Sequence, residues 1–417
     1  MSDQQKHGNG AKPPSGHGIR TLLLVPELLA DARSRAQRHA LAPPEADGLR
    51  ALVAEADASL PVQPPSVMDK KHTPPTGDKH DYFSLGIYLW PNPGTPDKLP
   101  YVSRDGEINP EVADYDRPGM LRMHRAVEAL ALAWAFTGDE RYAAKAAAFL
   151  RVWFTDPATR MNPNMLFAQY IPGSGGFRTA FPPRWVEGRD GKGVYVSFGG
   201  VIEGSSLPLL FDVVEMLKSS TAWTAHDDEL LRGWAREFMQ WLLTHQHGKD
   251  EAGCPNNHAV WYCVQIASYA LLCGDLEVAR DILENRVPSL MSRQIEPDGS
   301  MPHEVSRAVG LHYVLFTLNA FANLALMGER IGVDLWRCRT ADGRSLKAAI
   351  DWAVPYLAGE PWPYRPFVKP FDFATGIPLL AAAAHRLREQ RYADARARVP
   401  RAEGTGVMAL LYPSMVL

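Results

Sequence analysis

The chain has 417 residues, 46% of them apolar, and 44 Lys and Arg stand against 47 Asp and Glu for a formal net charge of −3. That is enough apolar material for a large core in one big domain or two. The balanced charge gives no global basis for a nucleic-acid partner, so a polyanionic substrate would have to be drawn by a local basic cleft. Cys254, Cys263, Cys273 and Cys338 form no CxxC pair and no zinc spacing, and read as core thiols rather than a disulfide framework.

Residues 1–18 are polar and rich in Gly, Lys and His, and are expected to be a disordered tail ahead of a single domain over residues 19–417. The tail has no hydrophobic h-region, so the chain as given reads as cytoplasmic, or as periplasmic or secreted if a signal was removed. No apolar run reads as a membrane span. From Ile19 to Leu60 the spacing is helical until Pro43-Pro44, with Leu28, Leu29, Ala32 and Ala36 as an apolar stripe.

Residues 61–110 are dense in Pro and Gly, and so long a non-helical stretch is uncommon in a compact domain unless it is functional. In this insert Lys70 and Lys71 could meet acid groups. Tyr88 and Trp90 could stack on the apolar faces of sugar rings, or simply staple the loop down. His72, Asp78, His80 and Asp81 fit no familiar metal-ligand spacing.

From Arg117 a helix–turn–helix rhythm sets in. Helices are expected over Met120–Phe136, Glu140–Phe154, Phe211–Lys218, Asp227–His245, Val260–Leu272, Leu276–Asn285, Tyr313–Met327 and Ser345–Leu357, with Gly138, Gly274 and Gly328 as stops. Antiparallel helix pairs stack because no pair buries its own apolar face. The long inserts favour an all-α, incomplete (α/α) toroid, whose loops build a cleft at one end, over an open solenoid. A second insert, Asn162 to Ser206, carries Gln169, Arg178, Arg184, Trp185 and Arg189. It is either the other cleft wall or a surface loop, with a short strand over Val194–Phe198.

The stretch Cys254 to Tyr262 reads as a helix mouth. Asn256 and Asn257 suit an N-cap, and a helix start favours anions. His258 in the first turn is expected to stay neutral there, and with the asparagines it could grip a sugar carboxylate. The alternative is a capped helix whose His points into the core. Further on, Arg307 and Tyr313 are six apart. On one continuous helix they would diverge by about 120°; they converge only if Gly310 separates them.

Asn256-Asn257-His258, followed by Trp261, Arg307 and Tyr313, resembles the alginate lyase-like superfamily. The stretches from Met68 to Pro91, Arg104-Asp105-Gly106-Glu107, and Asn162-Pro163-Asn164 with Gln169 to Gly173 look more like polysaccharide lyase family 38 than family 5. The likeness runs from about Ser66 to Phe321. It implies an α/α toroid and β-elimination on a 4-linked uronate polymer (alginate, polymannuronate or glucuronan), with an anionic polysaccharide as partner and no metal or organic cofactor.

On that reading Asn257 and His258, with Asn256 as a neighbour, neutralise the carboxylate. Tyr313 acts as base and acid, with Arg307 pulling its pKa down; or His258 is the base and Tyr313 the acid. Lys70, Lys71, Tyr88, Trp90, Gln169, Arg178, Arg189 and Trp261 are the expected substrate contacts. The rival readings are an α/α-toroid glycoside hydrolase using two of Glu203, Asp212 and Glu304, and a non-catalytic helical-repeat scaffold. Nothing in the sequence sets the oligomeric state.

Overall fold

The computed structural model describes residues 21–173, 184–187, 193–196, 200–367, 370–400 and 406–412. The expected tail therefore lies outside the described residues. Helix α1 (Pro26–Gln37) is followed by α2 (Pro43–Ser59). Pro43 and Pro44 open α2, because in the first helical turn a missing N–H costs no bond.

The first insert then contributes strands β1 (Phe83–Leu85), β2 (Leu89–Trp90) and β3 (Val102–Ser103). Helices α3 (Asp116–Thr137) and α4 (Glu140–Leu150) form the first hairpin. Gly138 ends α3 at φ 72°, a conformation glycine adopts without strain, and the Asp139 carboxylate caps α4 by accepting from Arg141 N–H.

The second insert holds β4 (Phe167–Tyr170), β5 (Arg184–Glu187) and β6 (Gly193–Val196). The last of these is the expected short strand, and it pairs antiparallel with β5. β2 pairs antiparallel with β3, while β1 pairs parallel with β4. The two inserts, expected as separate walls, are thus stitched together.

After them come α5 (Leu207–Leu217), α6 (Ala225–Thr244), α7 (Gln246–Ala252), α8 (Asn257–Cys273), α9 (Leu276–Arg280), α10 (Val287–Gln294), α11 (Pro302–Val305) and α12 (Gly310–Glu329). Then follow α13 (Leu346–Leu357), α14 (Ile377–Leu387), α15 (Gln390–Arg398) and α16 (Gly406–Leu411). The turn between α8 and α9 repeats the first hairpin's chemistry, with Gly274 at φ 78° and Asp275 as cap. Short α7 and everything after α13 carried no sequence expectation.

Helices α3, α5, α8, α12 and α14 touch in succession, and α3, α8 and α12 are buried almost all round, which marks an inner layer. α4, α6, α13 and α15 pack outside them. The inner layer encircles a cavity of about 340 Å³ lined by His124 of α3, Leu209 of α5, Trp261 of α8, Phe316 of α12, Leu379 of α14 and Met408 of α16. The fold is an α/α toroid. α16 closes it by lying on α2, where Gly48 and Gly406 meet so closely that a Cβ on Gly48 would sit 2.0 Å from the Gly406 carbonyl oxygen.

One expectation needs correcting. α12 is long and apolar enough to cross a membrane, but 72% of its apolar window is buried inside the protein. It is a core helix of the ring.

Candidate active site

The mouth of α8 is built differently from the expectation. Asn256 is the N-cap by backbone conformation, yet its side chain caps nothing, and its Oδ1 is buried without a hydrogen-bond partner. The free donors are taken by Glu304 of α11 instead. The Asn257 backbone N–H donates to Glu304 Oε1 at 2.7 Å, and the Asn257 side-chain amide donates to Oε2 at 2.9 Å. A helix start attracts an anion, and here the protein supplies it. Burial lifts the Glu304 carboxyl above the usual range, against the Asn257 hydrogen bonds and the charges of Arg307 and His258, which pull it down.

His258 projects from the next position. Its Nδ1 lies 2.9 Å from Oε1 of Glu251, a carboxylate on α7 with no exposed side-chain surface. That contact holds the proton on Nδ1 and makes Nε2 the ring's acceptor.

Arg307 lies between α11 and α12, and Tyr313 is in the first turn of α12. Gly310 begins the new helix, so the two side chains converge after all. The Arg307 guanidinium lies 3.9 Å from the Tyr313 ring centroid and donates to the Tyr313 hydroxyl at 3.0 Å. Its other side is clamped by Asp105 of the first insert, at 2.8 and 3.3 Å.

The phenol is not tuned as expected. Burial pushes the Tyr313 hydroxyl well up, Arg307 only partly offsets this, and the Tyr88 hydroxyl, hydrogen-bonded to it, adds to the rise. Tyr313 keeps its proton at neutral pH. Asp105, which burial would raise, is held below the usual carboxylate range by Arg307, by the Ala308 N–H and by the charge of Arg365.

Several expected substrate contacts are re-assigned by the structure. Lys70 is buried, with Nζ 2.9 Å from Asp116 and bonded to the carbonyls of Val67 and Lys79, so no ligand reaches it. Its neighbour Lys71 is exposed and pairs with Asp114. Asn256 and Asn257 are each 1% exposed, so neither side chain meets a ligand directly, and Asn257, expected to grip the carboxylate, holds Glu304 instead. The Gln169 side chain turns to buried Glu203, and its backbone, at φ 52°, donates to Ser84 Oγ.

Trp90 donates its indole N–H to the Glu107 carbonyl and carries Arg104 on its ring. Trp261 faces the central cavity and packs on Phe316. Tyr88 does reach the site, through Tyr313. Arg178 and Arg189 lie outside the described residues.

The carboxylates a hydrolase would need are all held by the protein's own donors. Glu203 takes the hydroxyls of Tyr82 and Ser84, Asp212 takes the backbone N–H groups of Leu22, Leu23 and Leu24, and Glu304 takes Asn257. His80, Asp78 and Asp81 are spent on hydrogen bonds to the 160–164 segment and Thr76.

Sequence reasoning missed Glu251 and the clamping roles of Asp105 and Glu304. Each acts on a partner in another element, and no local pattern announces that.

The alginate lyase family model matches residues 66–362. The chain is similar to an alginate lyase from Bacteroides ovatus of known structure, with 33% identity over 94% of this chain and 99% of that one and a TM-score of 0.85. It also shares its fold with alginate lyase A1-III from Sphingomonas species A1, with 15% identity, 97% and 99% coverage and a TM-score of 0.56. A variant of that enzyme complexed with a tetrasaccharide gives 15% identity, 95% and 97% coverage and a TM-score of 0.55. No curated protein sequence matches significantly. With its family motif set in an α/α toroid, the chain belongs to the alginate lyase family.

Proposed function

We propose that the chain cleaves a 4-linked uronate polymer by β-elimination at the junction of α8, α11 and α12, with His258 as base and Tyr313 as acid. Family membership makes it a polysaccharide lyase. The observation that carries the residue roles is the convergence of Arg307 on Tyr313 at 3.0 Å, beside a Glu304 that binds Asn257, with His258 next to Asn257 and held by Glu251.

The C5 proton is alpha to a carboxylate and only weakly acidic, so charge building on that carboxylate has to be quenched. Arg307 supplies the donor for this, while Asn257, only 1% exposed and bonded to Glu304, acts from behind the site as a positioning residue. His258 Nε2 takes the C5 proton while Glu251 steadies the imidazolium through Nδ1. The C5–H electrons form the C4–C5 double bond, the C4–O4 bond breaks, and O4 takes the Tyr313 proton; water then returns a proton to Tyr313 and accepts the C5 proton from His258.

A syn elimination by Tyr313 alone is the second reading. The Arg307 contact favours the phenolate it needs, but burial opposes it.

The motif order from Met68 to Gly173 supports a substrate preference like that of polysaccharide lyase family 38. The test is ultraviolet absorbance of unsaturated uronate ends across mannuronate-rich alginate, guluronate-rich alginate and glucuronan. Absorbance should grow on at least one of them; cleavage without new absorbance would establish hydrolysis instead.

A further inference from the structure

Residues 358–367, after α13, carry Trp362 and Tyr364, which pack with Trp352 and Tyr356 of α13 into a ladder. The Trp352 and Trp362 ring centroids are 6.0 Å apart, those of Tyr356 and Trp362 5.1 Å, and those of Trp362 and Tyr364 4.9 Å. Tyr364 sits on the solvent side of this stack, against Trp352 and Trp362, and is 40% exposed. The ladder is fixed next to the reaction centre. Trp362 lies against Gly310, so that a Cβ there would come within 3.1 Å of the indole, and Gly310 is one helical turn before Tyr313.

The residue after Tyr364 is Arg365. It is exposed and makes no ion pair within 4 Å among the described residues, yet it is near enough to Asp105 to act on that carboxylate. Asp105 is the same group that clamps Arg307. Asp105 thus feels two guanidinium groups, Arg307 in contact and Arg365 at longer range. The family match ends at residue 362, so Tyr364 and Arg365 lie just beyond it.

We propose that Tyr364 and Arg365 form a sugar subsite beside the reaction centre, taking a second uronate ring of the same polymer with its apolar face on the Tyr364 ring and its carboxylate on the Arg365 guanidinium. The chemistry matches on both counts. A pyranose ring presents C–H groups to an aromatic face, and a guanidinium binds a carboxylate in a two-point fork. The proposal rests on the lyase reading above, because it takes the polymer to be the occupant.

The test separates binding from turnover. Affinity for saturated mannuronate oligomers, from di- to hexasaccharide, is measured calorimetrically on a Tyr313→Phe background with and without Arg365→Ala or Tyr364→Ala. A charge-assisted contact of this kind predicts a loss of about tenfold for Arg365→Ala on the longer oligomers. The loss should shrink as the oligomer shortens, with partial recovery in Arg365→Lys and in Tyr364→Phe.

Equal losses at every length, or unchanged affinity for the hexasaccharide, would overturn the subsite. A wild-type protein that binds the oligomers in this length-dependent way but releases no unsaturated product would overturn the lyase reading and leave the subsite standing.

Discussion

Two parts of this protein are made from the same materials and do opposite things. Between the inserts and α3, Lys70 pairs with Asp116, and the Tyr82 hydroxyl donates a hydrogen bond to Glu203, all out of reach of solvent. At the α11–α12 junction, Arg307 pairs with Asp105 and bonds Tyr313, all of them partly open. In the first cluster the phenol is fully buried and donates to a carboxylate, so burial and then Glu203 push its pKa far up. In the second the phenol accepts from a cation that works the other way. Burial drives both Lys70 and Asp116 toward neutrality while each restores the other's charge. The difference teaches that a cation, a carboxylate and a tyrosine make a strut or a proposed reaction centre according to whether the phenol donates or accepts and whether a ligand can arrive.

The sharpest way to break this comparison is to substitute one member of each cluster in turn. Tyr313→Phe should lower kcat by about 10²–10⁴ or more, since it removes the acid, while binding persists. Retained turnover, read as ultraviolet product, would remove Tyr313 from the mechanism.

In the strut, Lys70→Ala leaves Asp116 buried without its cation and should cost about 3–5 kcal/mol of stability by denaturant unfolding. Lys71→Ala, one residue on but exposed, should leave the unfolding midpoint where it was.

A smaller effect is expected from Glu251→Ala. Without the carboxylate at Nδ1 the His258 ring loses its fixed tautomer, and kcat should fall about ten- to a hundredfold, less than loss of the base itself. Unaltered kcat with an unaltered pH profile would show that Glu251 is only packing.

The mildest test is the alkaline limb of kcat/KM. Tyr313 must be protonated to act as acid, and its pKa is raised, so its titration moves to higher pH. Activity should therefore hold level up to about pH 10, the ordinary phenol value. A rate that instead climbs with pH toward that value would mark a phenolate base.

Much of the ring was legible because its instructions are local. Gly138-Asp139 and Gly274-Asp275 stop one helix and cap the next within two residues, and the resulting turns fall where expected. Gly310 likewise separates Arg307 from Tyr313, so their spacing could be judged in advance. The site's supports were not legible. Asp105 reaches Arg307 across 202 positions, and Glu304 reaches Asn257 across 47. Tyr313 illustrates the limit. Its neighbour Arg307 was readable as a charge that lowers a pKa, but the burial that outweighs it belongs to the packed fold. Lys70 and Lys71 are adjacent and identical in type, and only tertiary packing tells the sealed one from the solvated one.

The seam where α16 rests on α2 also sets a schedule for assembly. During synthesis α2 leaves the ribosome long before α16 exists, so the Gly48 surface waits uncovered while the inner helices accumulate one after another. A nascent chain stalled ahead of Gly406 holds a ring whose central hollow is still missing Met408 and Leu411 from its wall. Sealing that hollow therefore waits for α16, which is made after Asn257, His258, Arg307 and Tyr313.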